Sequence, residues 1–509
     1  MRIDRVAALA LAAAALPASA QNTPPVVPQT APPAVPTAVA PRVFTSEGKG
    51  SFGGTPLTYR ASVEEFVVAG AGPVPGASIF ATSYVRTGKG AGAERPVLFA
   101  FNGGPGSSSI WLHMGYLGPR RVDMDDPAAA QTTAPFHTVA NPDSPLDVAD
   151  IVLIDPPGTG WSNVLPGAKV EQFYGVQQDA LTTVQVIQEW LRRHGRLNSP
   201  KYLISESYGT VRAAVVAKLL AGGPTQTGDM TGITLDGVIL LGQAMDLYRT
   251  GEADDRTALA LLPTLAAIAC YHGKAPAGCT PEGQAEAARR FSRETYLHAL
   301  DAGGALPAEE RKVIADELSR LIGLPVATVF DSDLRISATT FSRMLLGGDA
   351  RRLGAYDARF TLPTTGAGND PVADDPAMGQ YVPGFVAAWD GYARDTLGVR
   401  IDAPYQAIAF RAVNGRWDYG FGPGVPVGRN FAVDLAAAMT RNPHMRLMVG
   451  AGYYDLVTPL GSAEYTVTHA GIPLARTSFR YYRSGHMPYL GAEARSALTR
   501  DVRAFLRRP

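Results

Sequence analysis

Residues 203–213 read LISESYGTVRA. A short apolar run, Tyr202–Ile204, stops at Ser205-Glu206-Ser207-Tyr208-Gly209. A helix-type run then follows over residues 211–220, with Val211, Ala214, Val215 and Leu219 as its apolar positions. Ser207 therefore stands at a strand-to-helix junction with Gly209 two residues on. A tight turn flanked by small residues lifts a serine hydroxyl clear of the backbone, as a nucleophile elbow requires. The upstream small position is Ser205 rather than glycine, a sterically mild change. Taken alone, the stretch also reads as a helix cap. A nucleophile needs a base, an orienter and an oxyanion hole elsewhere in the chain.

The surrounding pattern sets the fold. Apolar runs at residues 97–101, 151–154, 202–204, 238–241 and 447–449 read as buried strands. Between the second and third, residues 176–194 carry Leu181, Val184, Ile187 and Leu191 at helical steps, and Gly195 supplies a stop. Buried strands alternating with helices, from about residue 76, imply a mostly parallel sheet covered on both faces. Residues 249–430 break the rhythm with helical patterns such as residues 307–322 and a Gly/Pro/Asp-rich loop near 362–384. Apolar Leu259–Leu262 and Leu265–Ile268 flank Pro263 there, as a buried helix hairpin or as the lining of a mouth or oligomer contact. The reading is an α/β-hydrolase fold: a mostly parallel central sheet flanked by helices, with a largely helical cap. Core segments occupy 46–248 and 436–509, the cap 249–435, and a closing surface helix residues 492–507.

In that fold the acid and then the histidine follow the serine. Leu447-Met-Val-Gly-Ala-Gly-Tyr-Tyr-Asp455 reads as strand, glycine turn and acid; Ser484-Gly-His486-Met-Pro places a histidine on a later loop. The chain has only eight histidines, so one in such a turn, in the right order, outweighs the alternatives of a capping Asp455 and a surface His486. Directly after the first core strand, Asn102-Gly-Gly-Pro-Gly-Ser-Ser-Ser109 offers backbone N–H groups to a developing oxyanion. It lacks the lysine and glycine spacing of a phosphate-binding loop.

These four segments, with Asp155-Pro-Pro-Gly-Thr-Gly-Trp-Ser162, together resemble the serine carboxypeptidase family (peptidase family S10), over roughly residues 50–250 and 440–490. The resemblance implies an acyl-enzyme mechanism on peptide or protein C-termini. Ser207, His486 and Asp455 would form the triad, and the Gly104 and Tyr208 N–H groups the oxyanion hole. It also implies a clamp for the substrate carboxylate from Asn102, Gly103 and Glu206, with Glu206 protonated because two facing carboxylates repel. Two positions depart from the family pattern: Ala100 stands in place of a tryptophan, and Tyr116 in place of a second acid. A tyrosine hydroxyl can still donate to a carboxylate. Met487 matches a position lining the leaving-residue pocket, or simply packs. An esterase or acyltransferase on the same triad is the second reading, and a non-catalytic binding protein on the same fold the third.

Bulk properties bound the rest. Lys+Arg and Asp+Glu balance at 46 each, which argues against a nucleic-acid partner. Residues 1–20 have the charged end, apolar run and Ala18-Ser19-Ala20 cleavage site of a signal peptide, of bacterial look, and too short an apolar run to anchor in a membrane. Cleavage after Ala20 would deliver the chain to the periplasm or outside the cell. Residues 21–45 read as a Pro/Ala-rich linker. In an exported chain, Cys270 and Cys279 read as a small-loop disulfide. No metal or cofactor is expected, and the chain is expected as monomer or homodimer.

Overall fold

Short runs buried at nearly every position form the middle of one large sheet in the computed structural model, which describes residues 40–70, 75–126, 132–222, 232–247, 254–365, 368, 370–425 and 427–507. The expected signal peptide, residues 1–20, and residues 21–39 of the expected linker lie outside the described residues. The first strand already begins at Val43, inside the stretch assigned to the linker. Strands β1 (Val43–Phe52) and β2 (Thr55–Ala69) form a hairpin whose connection is Gly53-Gly54, both at positive φ (55° and 77°). Two consecutive positive φ angles are what a tight hairpin needs to match strand twist, and glycine supplies them without Cβ strain.

The remaining strands follow in chain order. They are β3 (Pro75–Thr87), β4 (Val97–Phe101), β5 (Arg120–Val122), β6 (Thr138–Ala140), β7 (Asp150–Ile154) and β8 (Asn163–Val164). After them come β9 (Lys201–Glu206), β10 (Gly237–Leu241), β11 (Arg351–Leu353), β12 (Thr361–Pro363), β13 (Arg446–Gly452) and β14 (Thr477–Tyr482). The main sheet runs β1-β2-β3-β7-β4-β9-β10-β13-β14, with β8 on β3. From β7 to β14 all neighbours are parallel, whereas β1, β2 and β3 form an antiparallel extension. Strand β9 thus lies in the interior of the parallel part, and its C-terminal end carries Ser207. The fold is an α/β-hydrolase fold, as the sequence pattern implies.

Alternate side chains of each strand enter different cores. Val97, Phe99 and Phe101 join the helices Val176–Arg193, Gly209–Leu220 and Ala432–Arg441 on one face. Leu98 and Ala100 join the helices Pro376–Asp395 and Ala492–Leu506 on the other. Residues 376–395, read from sequence as cap, therefore cover the sheet itself. A third cluster holds the cap helices Asp255–Tyr271, Pro281–Phe291 and Ala308–Ile322 against Tyr453, Tyr454 and Leu456. Residues 259–268 form one continuous buried helix through Pro263. The Cys270–Cys279 disulfide closes the turn after it. No helix among the described residues is long and apolar enough to cross a membrane.

One expected contact is corrected. The buried stripe of helix Val176–Arg193 is Ala180, Val184, Ile187 and Leu191, while Leu181 is 44% exposed. Steps of four, three and four from Ala180 keep one face, and Leu181 is turned about 100° from it. Leu191→Ala should cost about 2–5 kcal/mol of stability. Leu181→Ala should cost no more than about 0.5 kcal/mol, both read from urea unfolding midpoints.

Candidate active site

The site begins with a backbone that only the surrounding contacts can hold. Ser207 has φ of +58°, a left-handed conformation unusual for a side-chain-bearing residue. Its N–H donates to Leu241 O at 3.0 Å. Its carbonyl accepts from Thr210 N at 2.8 Å and from the Thr210 hydroxyl at 2.7 Å. The loop after β4 presses directly against this turn. A Cβ on Gly103 would lie 2.5 Å from Tyr208 N, and one on Gly209 2.9 Å from Asn102 O. Arg212, wholly buried, donates to Asn102 O at 2.5 Å and to Asp179 Oδ2 at 2.6 Å. It thereby ties two helices to the loop. Sequence reading passed over Arg212; an arginine on the buried face of a helix was its visible signal.

The acid–base pair is assembled from the ends of β13 and β14. His486 Nδ1 lies 2.9 Å from Asp455 Oδ2. Asp455 Oδ1 accepts from the N–H groups of Val457 (2.8 Å) and Thr458 (2.9 Å), and its Oδ2 accepts from the Thr458 hydroxyl. That hydroxyl also lies 3.1 Å from His486 Nδ1. Burial acts to lower the His486 pKa, but the facing Asp455 carboxylate, with Glu206 beyond, raises it overall. The cap contributes a residue that sequence reading did not single out. Tyr356 O accepts the His486 N–H at 2.6 Å, and the Tyr356 ring packs edge-on to the imidazole at 5.3 Å. A Cβ on Gly485 would collide with Tyr356 O at 2.5 Å.

Beside the serine, Asn102 and Glu206 are bonded to each other. Leu112 N–H donates to Asn102 Oδ1 at 2.9 Å, which turns the amide so that Nδ2 donates to Glu206 Oε1, also at 2.9 Å. Burial raises the Glu206 pKa, His486 pulls against it, and the balance leaves it at about 7. The Tyr489 hydroxyl faces the same carboxyl. By strict hydrogen-bond geometry, that hydroxyl and Glu206 Oε2 have no bonded partner among the described residues.

Two cavities meet at Ser207 and Gly104. One, of about 50 Å³, is lined by Asn102, Gly103, Glu206, His486 and Met487 together with apolar side chains. The other, of about 640 Å³, opens past Tyr208 toward the cap. The geometry thus brings Ser207, His486, Asn102, Gly103, Gly104, Glu206 and Met487 to one place. Such an arrangement can deprotonate a hydroxyl, hold an oxyanion on backbone N–H groups and hydrogen-bond a carboxyl group. Among the described residues no group of three or more His, Cys, Asp or Glu side chains is placed to hold a metal.

Residues 84–253 match the serine carboxypeptidase family, Peptidase_S10. The matched stretch contains the Asn102–Ser109 loop, the Asp155–Ser162 segment and the Ser207 turn. Among solved structures the chain is similar to the prohormone-processing carboxypeptidase Kex1 of Saccharomyces cerevisiae. That likeness has 13% identity, covers 88% of this chain and 91% of that one, and has a TM-score of 0.55; it speaks to the fold. An epoxide hydrolase of Aspergillus niger is 14% identical over 87% of this chain and 78% of that one, with a TM-score of 0.34. No curated protein matches in sequence.

The two positions that depart from the family pattern, Tyr116 and Ala100, fall behind the site. Tyr116 lines neither cavity. It is fully buried, its ring stacks on Tyr489 at 6.0 Å, and its hydroxyl turns toward Thr499. The expectation that Tyr116 faces the carboxylate is corrected: it sits one layer back because Tyr489, three residues after His486, fills the place beside Glu206. Ala100 is buried within β4 on the second face. The Asp155–Ser162 segment shapes the oxyanion loop from below, as Asp155 Oδ1 accepts Ser109 N–H at 2.8 Å and Ser162 Oγ donates to Asp155 O at 2.8 Å. Gly103→Ala should displace the Gly104 and Tyr208 N–H groups and lower kcat on an activated ester by about 100-fold or more. Near-UV circular dichroism should stay close to that of the parent.

Proposed function

We propose that this chain is an exported carboxypeptidase that hydrolyses the C-terminal peptide bond of peptides and proteins through an acyl-enzyme on Ser207. The observation that carries the reading is the Asn102–Glu206 pair in the same small cavity as Ser207 and His486. A simple esterase has no need of a buried acid whose pKa is lifted to about 7 beside its nucleophile. Ser207 attacks the last peptide carbonyl as His486 Nε2 takes its proton. Asp455 holds Nδ1–H and stabilises the imidazolium, and the N–H groups of Gly104 and Tyr208 receive the oxyanion. His486 returns the proton to the departing amine, and water, activated by the same imidazole, releases the acyl group. Export is supported by the leader-like first residues and by the Cys270–Cys279 disulfide.

The substrate carboxylate meets Glu206 in its protonated form, which prevails below about pH 7. Peptide kcat/KM should therefore rise as His486 loses its proton and fall as Glu206 loses its own. Glu206→Gln keeps a hydrogen-bond donor without a titration and should remove the alkaline fall for peptides. Esters lacking a free carboxylate should show no such fall in either protein. A peptide profile that climbs steadily from about pH 4 to pH 9 would falsify the carboxylate clamp. Ser207→Ala should reduce release of free C-terminal amino acids by at least about 10⁴-fold and abolish labelling by a fluorophosphonate.

A further inference from the structure

We infer that this enzyme selects small C-terminal residues (glycine, alanine or serine) and leaves the chain preceding the scissile bond comparatively unrestricted. The inference rests on the proposed carboxypeptidase reading and concerns the unequal size of the two cavities at Ser207. Because Ser207 and Gly104 border both, a carbonyl held there divides its substrate between them. The leaving residue enters the cavity of Asn102 and Glu206, and the acyl chain enters the other.

The leaving side measures about 50 Å³. One ordered water needs about 10–15 Å³ on the same kind of measure, so the void holds about three to five water-sized atoms. The N, Cα, C and two carboxylate oxygens of a departing amino acid take up most of it. A hydrogen, methyl or hydroxymethyl group is the most that can be added; an isobutyl group or a phenyl ring exceeds the space. The acyl side, at about 640 Å³, has room for several residues. Its lining mixes apolar Leu247, Leu261, Leu456 and Val457 with polar Gln243 and an Asp246–Arg256 pair at 2.8 Å, so it imposes no single side-chain chemistry.

The walls of the small cavity are fixed from behind. Trp111 donates its indole N–H to Ser107 Oγ at 2.7 Å and packs on Phe385 at 5.1 Å. Met378 Sδ accepts from the Tyr381 hydroxyl at 2.9 Å. Ile408 is joined by its backbone to Ser107 in an isolated bridge. A Cβ on Gly104 would come within 3.0 Å of the Phe410 ring. The lining carries no charged side chain besides Glu206 and His486, so a C-terminal lysine, arginine, aspartate or glutamate would be desolvated without a counter-ion. Size thus rejects leucine and phenylalanine, and charge rejects the ionised residues as well.

The test uses the full enzyme and a peptide series identical except for a last residue of Ala, Leu, Phe or Lys, with the released amino acid quantified. Ala should exceed each of the others by about tenfold or more in kcat/KM. Met378→Ala and Phe410→Ala should each raise the Phe-to-Ala ratio by about tenfold. Equal or faster release of Phe or Leu by the parent enzyme overturns the inference, as does an unchanged ratio in both variants. A parallel pair of esters, with the same acyl peptide and either methyl or benzyl alcohol as leaving group, separates this inference from the reading beneath it. If no amino acid is released but the methyl ester outpaces the benzyl ester, the carboxypeptidase reading fails and the size limit stands. If the two esters turn over equally, the size limit fails whatever the peptides do.

Discussion

The site depends on two backbone segments meeting with no side chain between them. The loop after β4 and the turn at Ser207 approach until Gly103 and Gly209 each face the other's main chain, at distances a Cβ could not tolerate. From that approach come the positions of the Tyr208 and Gly104 N–H groups, the exposure of the Ser207 side chain and the proximity of Asn102 to Glu206. Arg212 makes the contact permanent by holding Asn102 O from within the helix that the turn begins. Its charge is balanced by Asp179 at a site without solvent, so losing either partner would strand the other in a low-dielectric interior. The meeting of loop and turn is thus anchored by an ion pair that lines neither cavity.

The histidine is positioned by a different logic. Asp455 is fixed by two backbone N–H groups and a hydroxyl, which leaves one carboxylate lone-pair direction for His486 Nδ1. The loop that carries His486 is closed by Ser484, whose single hydroxyl proton is shared between Met487 O and Leu490 O, each at 2.9 Å. Arg359, paired with Asp357, reaches the same hydroxyl and Leu490 O. Glu206 and His486 share one buried space, and each moves the other's proton affinity. The Glu206 carboxyl and the His486 imidazole are therefore electrostatically one unit.

Much of this could be read from the chain because the residues concerned obey local rules. Strand ends, the elbow, the acid and the histidine each carry a motif within a few neighbours. The β1–β2 hairpin was legible too, through Gly53-Gly54 between alternating runs, but the low apolar content of β1 hid it behind the Pro-rich stretch. Leu181 misled because a leucine next to the true stripe mimics its spacing. Tyr489 and Tyr356 could not be found from local pattern: their roles arise from tertiary approach, one across a strand end and one from the insertion. Tyr116 was misassigned because an ungapped count fixes a position in sequence and says nothing about which layer a side chain occupies.

The Tyr356 carbonyl gives the insertion a standing that a detachable cover would not have. A hydrogen bond from the His486 main chain ends on it, and Gly485 is small because that strand of chain passes so near. Grafting the insertion of another hydrolase onto this sheet would have to reproduce that acceptor, not merely the span between its two ends. The modular boundary seen in the order of secondary-structure elements thus runs through the middle of the histidine's own support. Divergence of the insertion is constrained here, as it is where Arg359 and Ile408 meet the core loops.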